Sequence, residues 1–184
     1  MEQDKTDIDL VRQFQKDGRE ESFALLVKRH LPGVRKLMYE VILNESEADD
    51  LAQDVFISVY QGIHNFRGDS KFSTWLYRIS VNRARTFLRR KKQDKVESMD
   101  ILPDFPDAER NRPDVMLSDK ETDKAITEAL NSLPVKLRTA IVLTAMEGMS
   151  YDEAAHVDGC PKATLYWRVY KARQLLKRKL KGYL

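Results

Sequence analysis

One cysteine, Cys160, and three histidines, His30, His64 and His156, stand among 184 residues. An internal disulfide is impossible, and the isolated histidines have no zinc-ligand spacing, so neither a structural metal nor a cofactor is expected. Cys160 lies in a Gly159-Cys160-Pro161 turn with no base in sequence reach, which argues against a nucleophilic enzyme. No long hydrophobic run is present. The longest, Phe23 to Val27, is far below the roughly 18 residues that a membrane-spanning helix needs. The first twenty residues are acid-rich without an apolar centre, so no secretory signal is expected and a reducing cytoplasm is. Nor does any segment alternate with period two. The remainder, 42% apolar and 33% charged, suits an all-α chain with a packed core.

The net charge of +3 conceals a strong pattern. Residues 1–62 carry −5, residues 63–95 carry +8, residues 96–123 carry −6 and residues 124–184 carry +6. Pro103, Pro106 and Pro113, three of the six prolines, fall in the second acidic block and stop a helix from running through it. Two small helical domains are therefore expected, 1–92 and 118–184, joined by an acidic, proline-containing linker over 93–117. Ile101, Leu102 and Phe105 give that linker more apolar surface than a spacer needs, for docking on a partner or on its own domains.

Helical periodicity is clear in both halves. A short helix is predicted from Asp7 to Lys16. Phe23 through Ile42 keeps one apolar face across Pro32, predicting a kinked or interrupted helix. Ser46 and Asp49 resemble a capping box before Ala48, Leu51, Ala52, Val55, Phe56 and Val59, with an end near Gly62. Ser73 is placed to cap a helix to about Lys92. Further on, Ser118 with Glu121 and Ser150 with Glu153 form capping boxes, and Pro134 suits a first helical position before a helix that stops at Gly148. A short helix after Ser150, a turn at Asp158-Gly159-Cys160-Pro161, and a long basic helix from Lys162 to about Lys181 have the shape of a helix-turn-helix.

Two basic surfaces result. The last helix interleaves Lys162, Arg168, Lys171 and Arg173 with Tyr166, Trp167 and Tyr170; adjacent Tyr166 and Trp167 cannot both point inward. Cations there suit phosphates, and residues near the helix start reach base edges in a major groove. The other surface begins in a glycine-bearing loop, Phe66 to Trp75, and continues along a helix face with Arg78, Asn82, Arg83, Arg85, Arg89 and Arg90. Aromatics beside cations suit unstacked bases and a tracked backbone, although Trp75 falls where a packing residue normally sits. Asp49, Asp50 and Asp54 share a helix face, but nothing nearby completes a hard-cation site. With Gln53 they equally make an acidic docking face.

These stretches resemble one family, the extracytoplasmic-function (ECF) sigma factors of bacterial RNA polymerase, RpoE-like members of the sigma-70 family. Ser46 to Phe56 is similar to its region 2.2, Phe66 to Ile79 with Val81-Asn82 to regions 2.3 and 2.4, and Ser132-Leu133-Pro134, Gly148 to Ala155 and Cys160 to Arg173 to region 4. The resemblance implies a non-enzymatic transcription initiation factor that binds core polymerase through its β and β′ subunits and directs promoter-specific initiation. Asp49, Asp50, Gln53, Asp54 and Phe56 would lie on or support the face docking on β′. Lys71, Phe72, Ser73, Arg78, Asn82, Arg83 and Arg85 would serve the −10 element, the loop around Lys71 capturing a flipped base. Lys162, Thr164, Tyr166, Trp167, Arg168, Tyr170, Lys171 and Arg173 would meet the −35 element, and the linker would thread the RNA-exit path. An anti-sigma factor is an expected partner.

The chain departs from the family at Ala163-Thr164-Leu165-Tyr166-Trp167, where a glycine often precedes the threonine and a basic-serine pair follows the next valine. A −35 preference unlike that of arginine-bearing relatives is expected. Two other classes compete with the sigma-factor reading: a stand-alone helix-turn-helix regulator with an N-terminal sensor or oligomerisation domain, and a magnesium-dependent nuclease using Asp49, Asp50 and Asp54. The Phe66–Trp75 loop separates the first from a sigma factor, since a plain repressor has no use for a single-strand pocket.

Overall fold

A computed structural model describes residues 5–97 and 119–181. Eight α-helices carry the described chain, and no strand occurs among those residues. The first four are α1 (Asp7–Asp17), α2 (Glu20–Ile42), α3 (Glu45–Gly62) and α4 (Phe72–Glu97). Thr6 and Asp9 close a capping box on α1, and Gly18 ends it at φ +62°, a conformation that favours glycine. Despite Pro32, α2 stays a single helix. Asn44, not Ser46, caps α3: its side chain accepts the Glu47 N–H at 3.0 Å, leaving Ser46 inside the first turn. Likewise α4 begins one residue before Ser73, with the Lys71 carbonyl accepting from the Thr74 and Trp75 amides. It runs to Glu97, so the first residues of the expected 93–117 linker are helical. The linker prolines, Ile101, Leu102, Phe105 and the Ser118 cap lie outside the described residues.

Leu10, Leu26, Leu37, Met38, Val55, Ile63 and Leu76 are completely buried where α1 to α4 meet, at helical spacings that place one face of each helix inward. A second group of helices follows: α5 (Asp119–Asn131), α6 (Val135–Ile141), α7 (Tyr151–Asp158) and α8 (Lys162–Lys179). Pro134 is the cap of α6 rather than its first residue, its carbonyl taking the Leu137 and Arg138 amides. Beyond Ile141 the backbone loosens into a π turn, Val142–Met146, before Gly148 at φ +65°. The Ser150–Glu153 capping box is present, and Gly159 at φ +68° turns the chain between α7 and α8. Leu165, Val169 and Ala172, at i, i+4 and i+7, pin α8 to this core. Burying a leucine this completely contributes about 2 kcal/mol, and α7 and α8 together make a helix-turn-helix.

Candidate nucleic-acid interface

The loop ahead of α4 is held from beneath. The Gln15 side-chain amide donates to the carbonyls of Ile63 and Phe66, at 2.7 and 2.9 Å. Phe66, Phe72 and Trp75 pack ring against ring, with centroids 5.2 to 5.9 Å apart, and His30 adds a contact to Phe72 at 5.3 Å. Phe72 is thus buried; among the residues expected at the −10 element it supports the loop from inside. Trp75 is half-buried in the same ring group, in the packing position expected of it. Gly68 makes the turn at φ +83°. Lys71, Arg78, Asn82 and Arg83 are exposed, while Ser73 and Arg85 are half-buried. A cleft of about 320 Å³ opens between Arg67, Asp69, Ser70, Trp75 and Arg78, and His156 from α7 closes its far side.

On α8 the outward face is aromatic as well as basic. Tyr166, Trp167 and Tyr170 are 49, 58 and 63% exposed, so both members of the Tyr-Trp pair are at the surface. Lys162, Lys171 and Arg173 are exposed beside them, and Thr164 and Arg168 are half-buried. The α3 acids divide differently. Arg35 holds Asp49 in a two-pronged ion pair, both contacts 2.6 Å, whereas Asp50, Gln53 and Asp54 are exposed and Phe56 is buried behind them. With Asp49 so occupied, Asp50 and Asp54 keep no third ligand, and no group of three potential metal ligands occurs among the described residues. Ile57 and Tyr60 extend this face with exposed apolar surface. Ile57 stands off the i, i+3, i+4 apolar pattern of α3, a signal that the sequence contained.

The two helical groups touch, and they do so through residues expected to meet DNA. The Asp158 carboxylate at the end of α7, completely buried, takes Arg85 of α4 on one oxygen and Arg168 of α8 on the other. Arg85 also donates to the Asp158 carbonyl at 2.9 Å. At the start of α7, Glu153 pairs with Lys71 at 2.9 Å, and its carboxyl is held below the usual range by that lysine and by Ser150. Glu147 takes the Lys36 ammonium at 2.7 Å and the Tyr77 hydroxyl at 3.2 Å. Tyr77 reaches there over Gly33, where a Cβ would stand 2.7 Å from its hydroxyl oxygen, so a larger residue would push that hydroxyl aside. Burial pushes the Glu40 carboxyl, in the same cluster, up to about 7, with Lys36 opposing and Glu147 adding to the rise. The Tyr77 hydroxyl is pushed up to about 12, again chiefly by burial. Sequence reasoning missed Glu147 and Asp158 as contact residues, because nothing local distinguishes an acid that meets a distant arginine from a solvated one.

A ring-backed basic loop leading into α4 and a helix-turn-helix with an outward aromatic face define a two-part DNA-binding protein. No helix among the described residues is long and apolar enough to cross a membrane. Residues 26–93 match the family model for sigma-70 region 2, and residues 123–176 match that for sigma-70 region 4. The chain is 32% identical to the ECF RNA polymerase sigma-E factor of Haemophilus influenzae over 98% of both chains. It is 35% identical to the RNA polymerase sigma-H factor of Pseudomonas aeruginosa, over 97% of this chain and 95% of that one. A solved complex of the sigma factor RpoE with the anti-sigma factor NepR from Bartonella quintana superposes on 88% of this chain and 98% of RpoE, with TM-score 0.70 and 25% identity. The chain belongs to the ECF sigma factors, and its function is that of a transcription initiation factor.

Proposed function

We propose that the two basic surfaces divide the promoter between them. The loop at Lys71 and Ser73, backed by Phe72, with Arg78, Asn82, Arg83 and Arg85, takes the −10 element as a single strand. The exposed face of α8, from Lys162 to Arg173, reads the −35 duplex. Asp50, Gln53 and Asp54, with Phe56 behind them, dock on core polymerase, and Asp49 shapes that face through Arg35. The proposed domains are 1–92 and 118–184, joined by the linker over 93–117, into whose first residues α4 extends. The single observation that carries the reading is the pairing, in one chain, of a ring-backed loop with a helix-turn-helix whose outward residues are aromatic.

The packed arrangement adds a condition. Lys71 and Arg85 are occupied by Glu153 and Asp158 of α7, so use of both at the −10 element requires α7 to leave α4. An anti-sigma factor that favours the packed arrangement would silence the protein. The protein works in the cytoplasm, where polymerase is.

Run-off transcription with core polymerase and a promoter library tests the reading. The expected result is transcripts from promoters sharing two elements, with Asp54→Arg abolishing core capture and sparing duplex binding. No promoter-dependent transcript would refute it. Sequence-specific duplex binding without any core capture would favour the stand-alone regulator instead.

A further inference from the structure

The start of α7 does more than begin a helix. Its first residue, Tyr151, lies flat against Tyr166 of α8, ring centroids 4.0 Å apart and planes 8° from parallel. Tyr151 is half-buried against the hydrophobic core, and the Ser150–Glu153 capping box fixes the backbone on which it stands. Tyr166 is 49% exposed, one turn into α8. The next residue of α7, Asp152, holds Lys162 at 2.7 Å. Two consecutive residues of α7 therefore set two side chains on the first turns of α8, one by ring stacking and one by charge.

An exposed tyrosine on a helix ordinarily samples several rotamers, and ordering it on binding costs affinity. Its hydroxyl both donates and accepts, so it finds a partner on either base pair. Discrimination by such a residue depends on where the ring edge and its free face are directed, for example toward a thymine methyl. The stack removes one face of Tyr166 from use and directs the rest.

We infer that Tyr151 is a positioning residue for base readout: it sets the orientation of Tyr166, so that sequence preference at the base pairs Tyr166 meets depends on Tyr151. The inference rests on the reading of α8 as the −35 helix. It explains how a half-exposed tyrosine can serve in base reading, since a stacked ring is preorganised where a lone one is not.

The test is run-off transcription by the reconstituted holoenzyme on a library randomised across the −35 element, reading preference at each position. Tyr166→Ala should flatten one or two positions. Tyr151→Leu, which keeps apolar packing and removes the stack, should flatten the same positions by about three- to tenfold. Tyr151→Phe should stay within about twofold of the parent. In a Tyr166→Ala background, Tyr151→Leu should change nothing further. Retention of the parental preference by Tyr151→Leu, while Tyr166→Ala loses it, would overturn the inference and leave the −35 reading intact. An equal fall on every library member would also overturn it, showing Tyr151 to be merely structural. Unchanged preference in Tyr166→Ala would remove Tyr166 from base reading, and the inference with it. Should Tyr151→Leu fail to fold, Tyr151→Met takes its place: flattening at the Tyr166 positions supports the inference, and the parental preference overturns it.

Discussion

The basic faces of α4 and α8 differ in what covers their cations: α7 takes part of the first, while the aromatic residues of the second face solvent. Lys71, just ahead of α4, and Arg85 on it meet carboxylates from α7, Arg83 donates to Ser58 at 2.6 Å, and Lys91 pairs with Glu47. On α8, Lys162 and Arg168 are paired, while Tyr166, Trp167, Tyr170, Lys171 and Arg173 face solvent. Cation content alone therefore does not measure readiness to bind DNA. On the proposed −10 surface Lys71 and Arg85 are conditional on where α7 sits, whereas Arg78 and Asn82, and most of the proposed −35 surface, are not.

Several changes break or sharpen this contrast. The largest effect belongs to Asp158→Asn, which strands two arginines. A loss of about 3 kcal/mol of stability is expected by denaturant titration, with a larger radius of gyration in solution scattering. Arg85→Leu should reproduce the expansion with less loss, because Arg168 keeps its carboxylate. Next, Trp167→Ala should weaken binding of a −35 duplex by roughly tenfold or more in a gel-shift titration. Core capture and the radius of gyration should stay unchanged, since Trp167 is largely exposed and lies outside the hydrophobic core.

The Glu40 cluster gives a smaller, pH-dependent effect. Its carboxyl lies at about 7 in the packed chain against an ordinary 4.5, so the packed chain holds a proton that the separated or unfolded chain releases between those values. That contribution favours packing at the acid end and is lost as pH rises through about 7. Lys36, Glu147 and Tyr77 face the same carboxyl. Glu40→Gln should flatten the slope of stability across this window, by on the order of 1 kcal/mol. Smallest of all, Lys71→Met removes an exposed ion pair and should change stability by less than about 1 kcal/mol, yet reduce −10 strand binding once the domains are apart.

Most of the helices were legible because their signals are local. Periodicity marked α1 to α4, and the Ser150–Glu153 box and Gly159 marked α7 and its turn. Errors arose where two nearby polar residues compete for one cap, as Asn44 and Ser46 do, and where propensity outlasts a charge boundary, as in α4 beyond Gln93. In the candidate site, adjacency required only one of Tyr166 and Trp167 to be exposed; that both are depends on how α8 packs. Phe72 shows the limit of such reasoning: an aromatic beside a glycine loop reads as a ligand contact, but three other rings hold it inside. The Asp158 bridge could not be read at all, for it joins residues 73 apart along the chain.

The most direct test of the conditional −10 surface is a distance between spin labels at Gln61 on α3 and Gln174 on α8, both exposed, in a Cys160→Ser background. A single short distribution is predicted for the free protein, and a clearly longer one for the holoenzyme on promoter DNA. The same short distribution in both would mean that α7 never leaves α4, and would contradict the account.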